Sequence, residues 1–150
     1  MIQFRDGFYA DIRTEDRSRT SIAYQGGILE EMKTRVERRA FLRVYDGKLW
    51  YYASVTDLEH LQKTLDGLYD AATANPQILE DPVVQRFERN RDTVMTFADC
   101  SVRDIPAREK QALLLSYLPL LEEDPCITMP KGLYLDRSSL FHFRSSLGAV

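Results

Sequence analysis

Two β-favouring runs meet at Asp46-Gly47, and no other stretch of the 150 residues narrows the possible folds as much. Asp-Gly between alternating apolar runs signals a hairpin, because both positions tolerate positive φ. Leu42 and Val44 fall on one face of the first arm, and Leu49, Tyr51, Ala53 and Val55 share a face of the second. One face is therefore expected to be dry. A lone hairpin is marginal in water, so more sheet or a helix has to cover it.

The flanking sequence offers both. Phe8, Ala10, Ile12 and Thr14 alternate with Tyr9, Asp11, Arg13 and Glu15, which predicts a half-buried strand with a charged outer face. Residues 20–25 repeat the pattern with Ile22 and Tyr24 on one side, Gly26-Gly27 permits a tight reversal, and residues 28–33 return as a third strand. Residues 35–39 read as a charged crossing into the hairpin. Thr56-Asp57-Leu58-Glu59 has capping-box form, and Leu58, Leu61, Leu65, Leu68, Tyr69 and Ala72 give a helical apolar stripe that Asn75-Pro76 ends. Pro106 opens a second helix striped by Ala107, Leu113, Leu114, Tyr117, Leu118 and Leu121, with a kink or fresh start expected around residues 116–118 because of Pro119. A terminal hairpin follows, with residues 127–135 and 140–145 as arms and Asp136 to Ser139 as turn. Pro130 and Gly132 mark its first arm as an edge or bulged strand.

The fold class expected is α+β: a mostly antiparallel curved sheet packed against two main helices as a two-layer sandwich, ending in a further β-hairpin. Residues 1–75 form the meander and first helix, 76–104 an irregular connection, and 105–150 the second helix and terminal hairpin, all within one domain. The balance of 20 Lys and Arg against 23 Asp and Glu, net −3, disfavours a nucleic-acid partner. No apolar run is long enough for a bilayer, and Arg5 and Asp6 interrupt any leader. Cys100 and Cys126 lie outside any C-x-x-C pair, so buried thiols in a reducing cytoplasm are expected.

In order along the chain come Tyr9-Ala10-Asp11-Ile12-Arg13, Glu15-Asp16-Arg17-Ser18-Arg19-Thr20-Ser21-Ile22, Gly27-Ile28-Leu29-Glu30-Glu31, Leu42-Arg43-Val44 and Asp46-Gly47. Ala53-Ser54 before Asp57-Leu58, then Arg91-Asp92-Thr93-Val94, Glu109-Lys110 and Ser145-Ser146-Leu147-Gly148 follow. Together these resemble the amino-terminal domain of the TldD/PmbA family across nearly the whole chain. The chain departs from it in lacking a helix before Phe8 and in carrying Ala40, Leu42 and Tyr51 where family members have glycines. The resemblance implies a metallopeptidase family, also described as modulators of DNA gyrase, that trims or degrades small peptides and proteins as homo- or heterodimers. It implies zinc on a downstream His-Glu-x-x-x-His helix, where two histidines share a face and the Glu serves as general base.

No such motif occurs here. His60 and His142 are the only histidines, and neither has the partners a metal needs. No catalytic, cofactor-binding or metal-ligating residue is therefore expected. The chain reads as the inactive amino-terminal part of a cytoplasmic zinc peptidase, framing its cleft and aiding dimerisation; its partners are the downstream catalytic domain, a second family member and a peptide substrate. The alternative is a free-standing interaction module. Tyr45, Trp50, Tyr51 and Tyr52 are expected to pack the sheet rather than stack on a ligand. Arg13, Arg17, Arg19, Arg35, Arg38, Arg39 and Arg43 are expected to pair across strands with Asp11, Glu15, Asp16, Glu30, Glu31 and Glu37. Asp11 beside Arg13 reads as a surface pair.

Overall fold

The chain forms β1 Tyr9–Gln25, β2 Ile28–Tyr45, β3 Trp50–Val55, α1 Leu61–Ala71, α2 Ala107–Glu122 and β4 Lys131–Ser145. This is a computed structural model that describes residues 2–150, apart from the Glu122 side chain. The strands form one open antiparallel sheet in the order β3-β2-β1-β4, which makes the fold α+β. The gap between the runs ending at residue 15 and starting at residue 20 is absent, because Ser18 and Thr20 continue the alternation of β1 as small buried polar residues. The crossing expected at 35–39 is likewise part of β2. Two compact units share these strands. The first comprises residues up to Asp16, Arg38–Val94 and Leu140–Val150; the second comprises Arg17–Glu37 and Met95–Ser139.

In the first unit Phe8, Ala10, Ile12, Ala40, Leu42 and Val44 form a buried core with Leu65 and Tyr69 of α1. The β2–β3 hairpin places Val44 opposite Tyr51, Leu42 opposite Ala53 and Ala40 opposite Val55, so one face is dry as expected. Its turn is wider than the Asp-Gly pair suggests. Tyr45 pairs with Trp50, and the Asp46 carboxylate accepts the amides of Lys48 and Leu49 at 2.8 Å each, closing a four-residue loop. Leu49 is thereby removed from the strand and stands 61% exposed. Gly47 takes φ +93°, and a Cβ there would meet Asn75 Nδ2 at 2.7 Å. The capping box does not form. Asp57 Oδ1 accepts the Glu59 amide at 3.0 Å and Oδ2 meets His60 Nδ1 at 2.6 Å, so residues 57–60 make a turn and α1 starts after His60.

In the second unit Gly26 and Gly27, at φ +56° and +77°, make the two-residue reversal expected between β1 and β2. Ile22 and Tyr24 pack on Leu114 and Leu118 of α2. The buried stripe of α2 is Lys110, Leu114 and Leu118, whereas Leu113 and Tyr117, expected inside, are 51% and 59% exposed. Pro119 is accommodated within the one helix, with no fresh start. Gly132 lies where α2 comes closest, since a Cβ there would meet Leu118 Cδ2 at 2.6 Å. The terminal hairpin is not formed: β4 is a single strand from Lys131 to Ser145, because Asp136 spends its carboxylate on tertiary partners rather than on a local turn.

Residues 76–104 contain four short 3-10 turns, in keeping with an irregular connection. Cys100 and Cys126 are both exposed, contrary to expectation; Cys100 ends a 3-10 turn and Cys126 sits in a turn held by Asp124. Among the described residues no helix is long and apolar enough to cross a membrane.

Candidate functional site

Three places bring chemistry-bearing side chains together. The first lies in the first unit, where Asp11 is wholly buried and has Arg43, not Arg13, as its partner. Arg43 Nε stands 3.0 Å from both Asp11 oxygens, its Nη2 also contacts Oδ2, and the Tyr9 hydroxyl donates to Oδ2 at 3.0 Å. The Arg43 guanidinium lies 4.8 Å from the centroid of Trp50, which stacks on Tyr45 at 4.7 Å. Phe87 stacks on Tyr9 at 4.4 Å. Between residues 9 and 15 the outer face of β1 is therefore dry at Tyr9, Asp11 and Glu15, while Arg13, over the Phe143 ring at 5.2 Å, is exposed.

Burial, then the Asp11 charge and hydrogen bond, push the Tyr9 hydroxyl well above its usual range, so it stays a donor. The hydrogen bond to Asp11 raises Arg43 further against the opposing effect of burial. The Tyr9 hydroxyl and the Arg43 guanidinium therefore both keep their protons near neutrality. It is a satisfied buried pair under an aromatic lid, and it packs Tyr45 and Trp50 as expected for sheet aromatics. Tyr51 donates to Asp46 at 3.2 Å, and Tyr52, 57% exposed, stacks on Phe41.

A second place, a cleft of about 230 Å³ in the same unit, is lined by Ile2, Ile12, Thr14, Leu61, His142 and Arg144. His142 is exposed there, and no lining residue is a carboxylate that could orient its ring. His60 is also exposed and pairs with Asp57 at the start of α1.

The third place is in the second unit. Lys110, 4% exposed at its side chain, meets Asp136 Oδ2 at 2.7 Å and donates to Thr20 Oγ1 at 3.1 Å. Tyr134 donates to the same carboxylate at 2.9 Å, and the Thr20 amide donates to its Oδ1 at 3.1 Å. Burial alone would raise Asp136, yet Lys110, Tyr134 and the Thr20 amide together hold it below the usual carboxylate range. Beside it is a cleft of about 380 Å³ lined by Arg17, Arg19, Arg35, Glu37, Leu135, Asp136 and Arg137.

Neither buried pair stands out in the sequence, because Asp11 and Arg43 are 32 residues apart and Lys110 and Asp136 come from a helix and a strand. One signal was present: Asp11 sits between Ala10 and Ile12 in an apolar run, a place that calls for a partner. Among the described residues no three His, Cys, Asp or Glu side chains come together to hold a metal.

The sequence profile described as PmbA/TldA metallopeptidase domain 1 matches residues 10–74. Residues 10–74 are thus similar to the first domain of the PmbA/TldD family. Solved structures of PmbA/TldD-like proteins share its fold. A proposed DNA gyrase modulator from Thermotoga maritima superposes with TM-score 0.73 at 18% identity, covering 95% of this chain and 32% of that one. A proposed DNA gyrase modulator from Bacteroides thetaiotaomicron gives 0.68 at 16% identity, with 92% and 32% covered. TldE from Thermococcus kodakarensis gives 0.60 at 11% identity, with 91% and 33% covered. The chain thus spans about a third of the length of these proteins. No curated protein matches it.

Proposed function

We propose that this PmbA/TldD domain is the non-catalytic amino-terminal part of a zinc metallopeptidase acting on small peptides or proteins. In this reading it frames the substrate cleft and aids dimerisation in the cytoplasm, and zinc belongs to a downstream domain. The match of residues 10–74 to domain 1 of a metallopeptidase family carries the proposal. The surface supports it: α2 presents Leu113, Tyr117 and Leu120 at 51%, 59% and 60% exposure, an apolar row one and two turns apart. β4 is an edge strand with Leu133 and Phe141 exposed at 61% and 64%, and half its backbone groups point away from β1. Such faces are covered by other parts of an assembly in proteins that avoid aggregation.

Leu113→Lys with Leu120→Lys tests this in two settings. The chain alone should keep its thermal stability, while a full-length peptidase carrying the same domain should lose assembly and peptide hydrolysis. Unchanged assembly and hydrolysis would favour a free-standing interaction module, as would stoichiometric partner-free closure of β4 seen as full amide protection along Lys131–Ser145 in the isolated chain.

A further inference from the structure

We propose that the arginine-lined cleft of the second unit is a binding site for a small phosphate-bearing anion. The proposal goes beyond a structural role in a peptidase and does not depend on it. Thr20, Ile22 and Tyr24 of β1 face α2, so alternation turns Arg17 and Arg19 to the opposite face. β2 adds Arg35 and Glu37 to the cleft and β4 adds Leu135 and Arg137.

Like charges on neighbouring strands repel, and a sheet normally answers them with carboxylates across the ladder. Here the answer is incomplete. Arg19, Arg35 and Arg137 make no ion pair or side-chain hydrogen bond with any described residue. Asp136, which also lines the cleft, already has its charge met by Lys110. Glu37 is then the one lining carboxylate left to offset those three guanidiniums.

The ligand class follows from charge, shape and volume. A cleft of about 380 Å³ has the size of a small-molecule site and cannot take a duplex. Guanidinium forks bind carboxylate and phosphate alike, but a terminal phosphate brings about −1.5 to −2 charge and three acceptor oxygens to arginines arriving from three strands. A single carboxylate would leave donors unused. Leu135, half exposed at the rim, gives the organic part of a phosphate ester one apolar contact.

Equilibrium dialysis or calorimetry of the whole chain at low salt, with pyrophosphate and a nucleoside diphosphate as probes, tests the site. Saturable one-to-one binding is expected, with Arg35→Glu and Arg137→Glu each weakening it about tenfold or more, the loss expected for one charge-assisted hydrogen bond. Lys63→Glu, which changes net charge equally at an exposed position of α1, should leave it unaltered. Equal affinities for the two probes would place recognition in the phosphates, and tighter binding of the nucleoside diphosphate would add the Leu135 contact; both support the proposal. It is overturned by absent saturation, by an equal loss in Lys63→Glu, or by citrate binding as well as pyrophosphate.

Discussion

In the first unit Arg38, Arg39 and Arg43 each reach a carboxylate on β1, respectively Asp16, Glu15 and Asp11, whereas in the second Arg19, Arg35 and Arg137 reach none among the described residues. The same side chain is thus a structural strut at Arg38, Arg39 and Arg43 and a solvated charge at Arg19, Arg35 and Arg137. The cause is where the acids fall along β1: Asp11, Glu15 and Asp16 come early, and from Arg17 to Gln25 there is no acid at all. Burial grades the pairs within the first unit. Arg43 and Asp11 are 21% and 0% exposed at their side chains, while Arg38 and Asp16 are 64% and 23% exposed. Coulomb attraction grows as water is excluded, and so does the penalty for losing one partner.

The sharpest way to break this contrast is Arg43→Met, which strands the buried Asp11 carboxylate. A loss of about 3 to 5 kcal/mol is expected in urea unfolding, with most of it recovered by adding Asp11→Asn. A loss below about 1 kcal/mol would mean that water reaches Asp11 and that the two regions differ less than their burial implies. Lys110→Met applies the same logic to the second unit's own buried pair, with about 3 kcal/mol expected because Asp136 keeps Tyr134 and the Thr20 amide as donors.

A smaller effect is expected from acid. Asp46 and Asp136 are both held below the ordinary value of 3.8, so they bind fewer protons in the folded than in the unfolded chain. Their contribution is complete above that value and is lost as pH falls through their lower folded values. Unfolding free energy measured from pH 6 downward should therefore drop as the solution passes below about 4, and Lys110→Met should flatten the part of the drop that belongs to Asp136.

Removing an exposed arginine should do least. Arg35→Gln and Arg137→Gln are each expected to change stability by no more than about 0.5 kcal/mol, in the stabilising direction if repulsion across the strands is felt. Arg39→Met, which leaves Glu15 buried at 7% exposure, should cost about 1 kcal/mol and so fall between the extremes. Should Arg35→Gln destabilise more than Arg39→Met, the second unit's arginines would be structural after all and the contrast would fail.

What the sequence by itself determined is local. The period-two runs, the Gly26-Gly27 reversal, the β2–β3 hairpin and the α1 stripe all follow from alternation, turn chemistry and helical spacing, and the ordered motifs were sufficient for the likeness to the PmbA/TldD family. Tertiary structure decided what depended on partners remote in the chain. Residues 16–19 fall outside the two strand runs, yet Ser18 is buried and Thr20 bonds Lys110 and meets Thr34 across the strands at 3.4 Å, so β1 runs on. Asp136, Ser138 and Ser139 read as a turn because such side chains usually bond their own backbone, yet Lys110 and Tyr134 claim Asp136 and β4 stays extended. Asp11 read as solvated because carboxylates are costly to bury, until Arg43 crossed from β2 to neutralise it. A polar residue's place depends on whether its partner arrives, and that partner lies too far along the chain for a local pattern to reveal it.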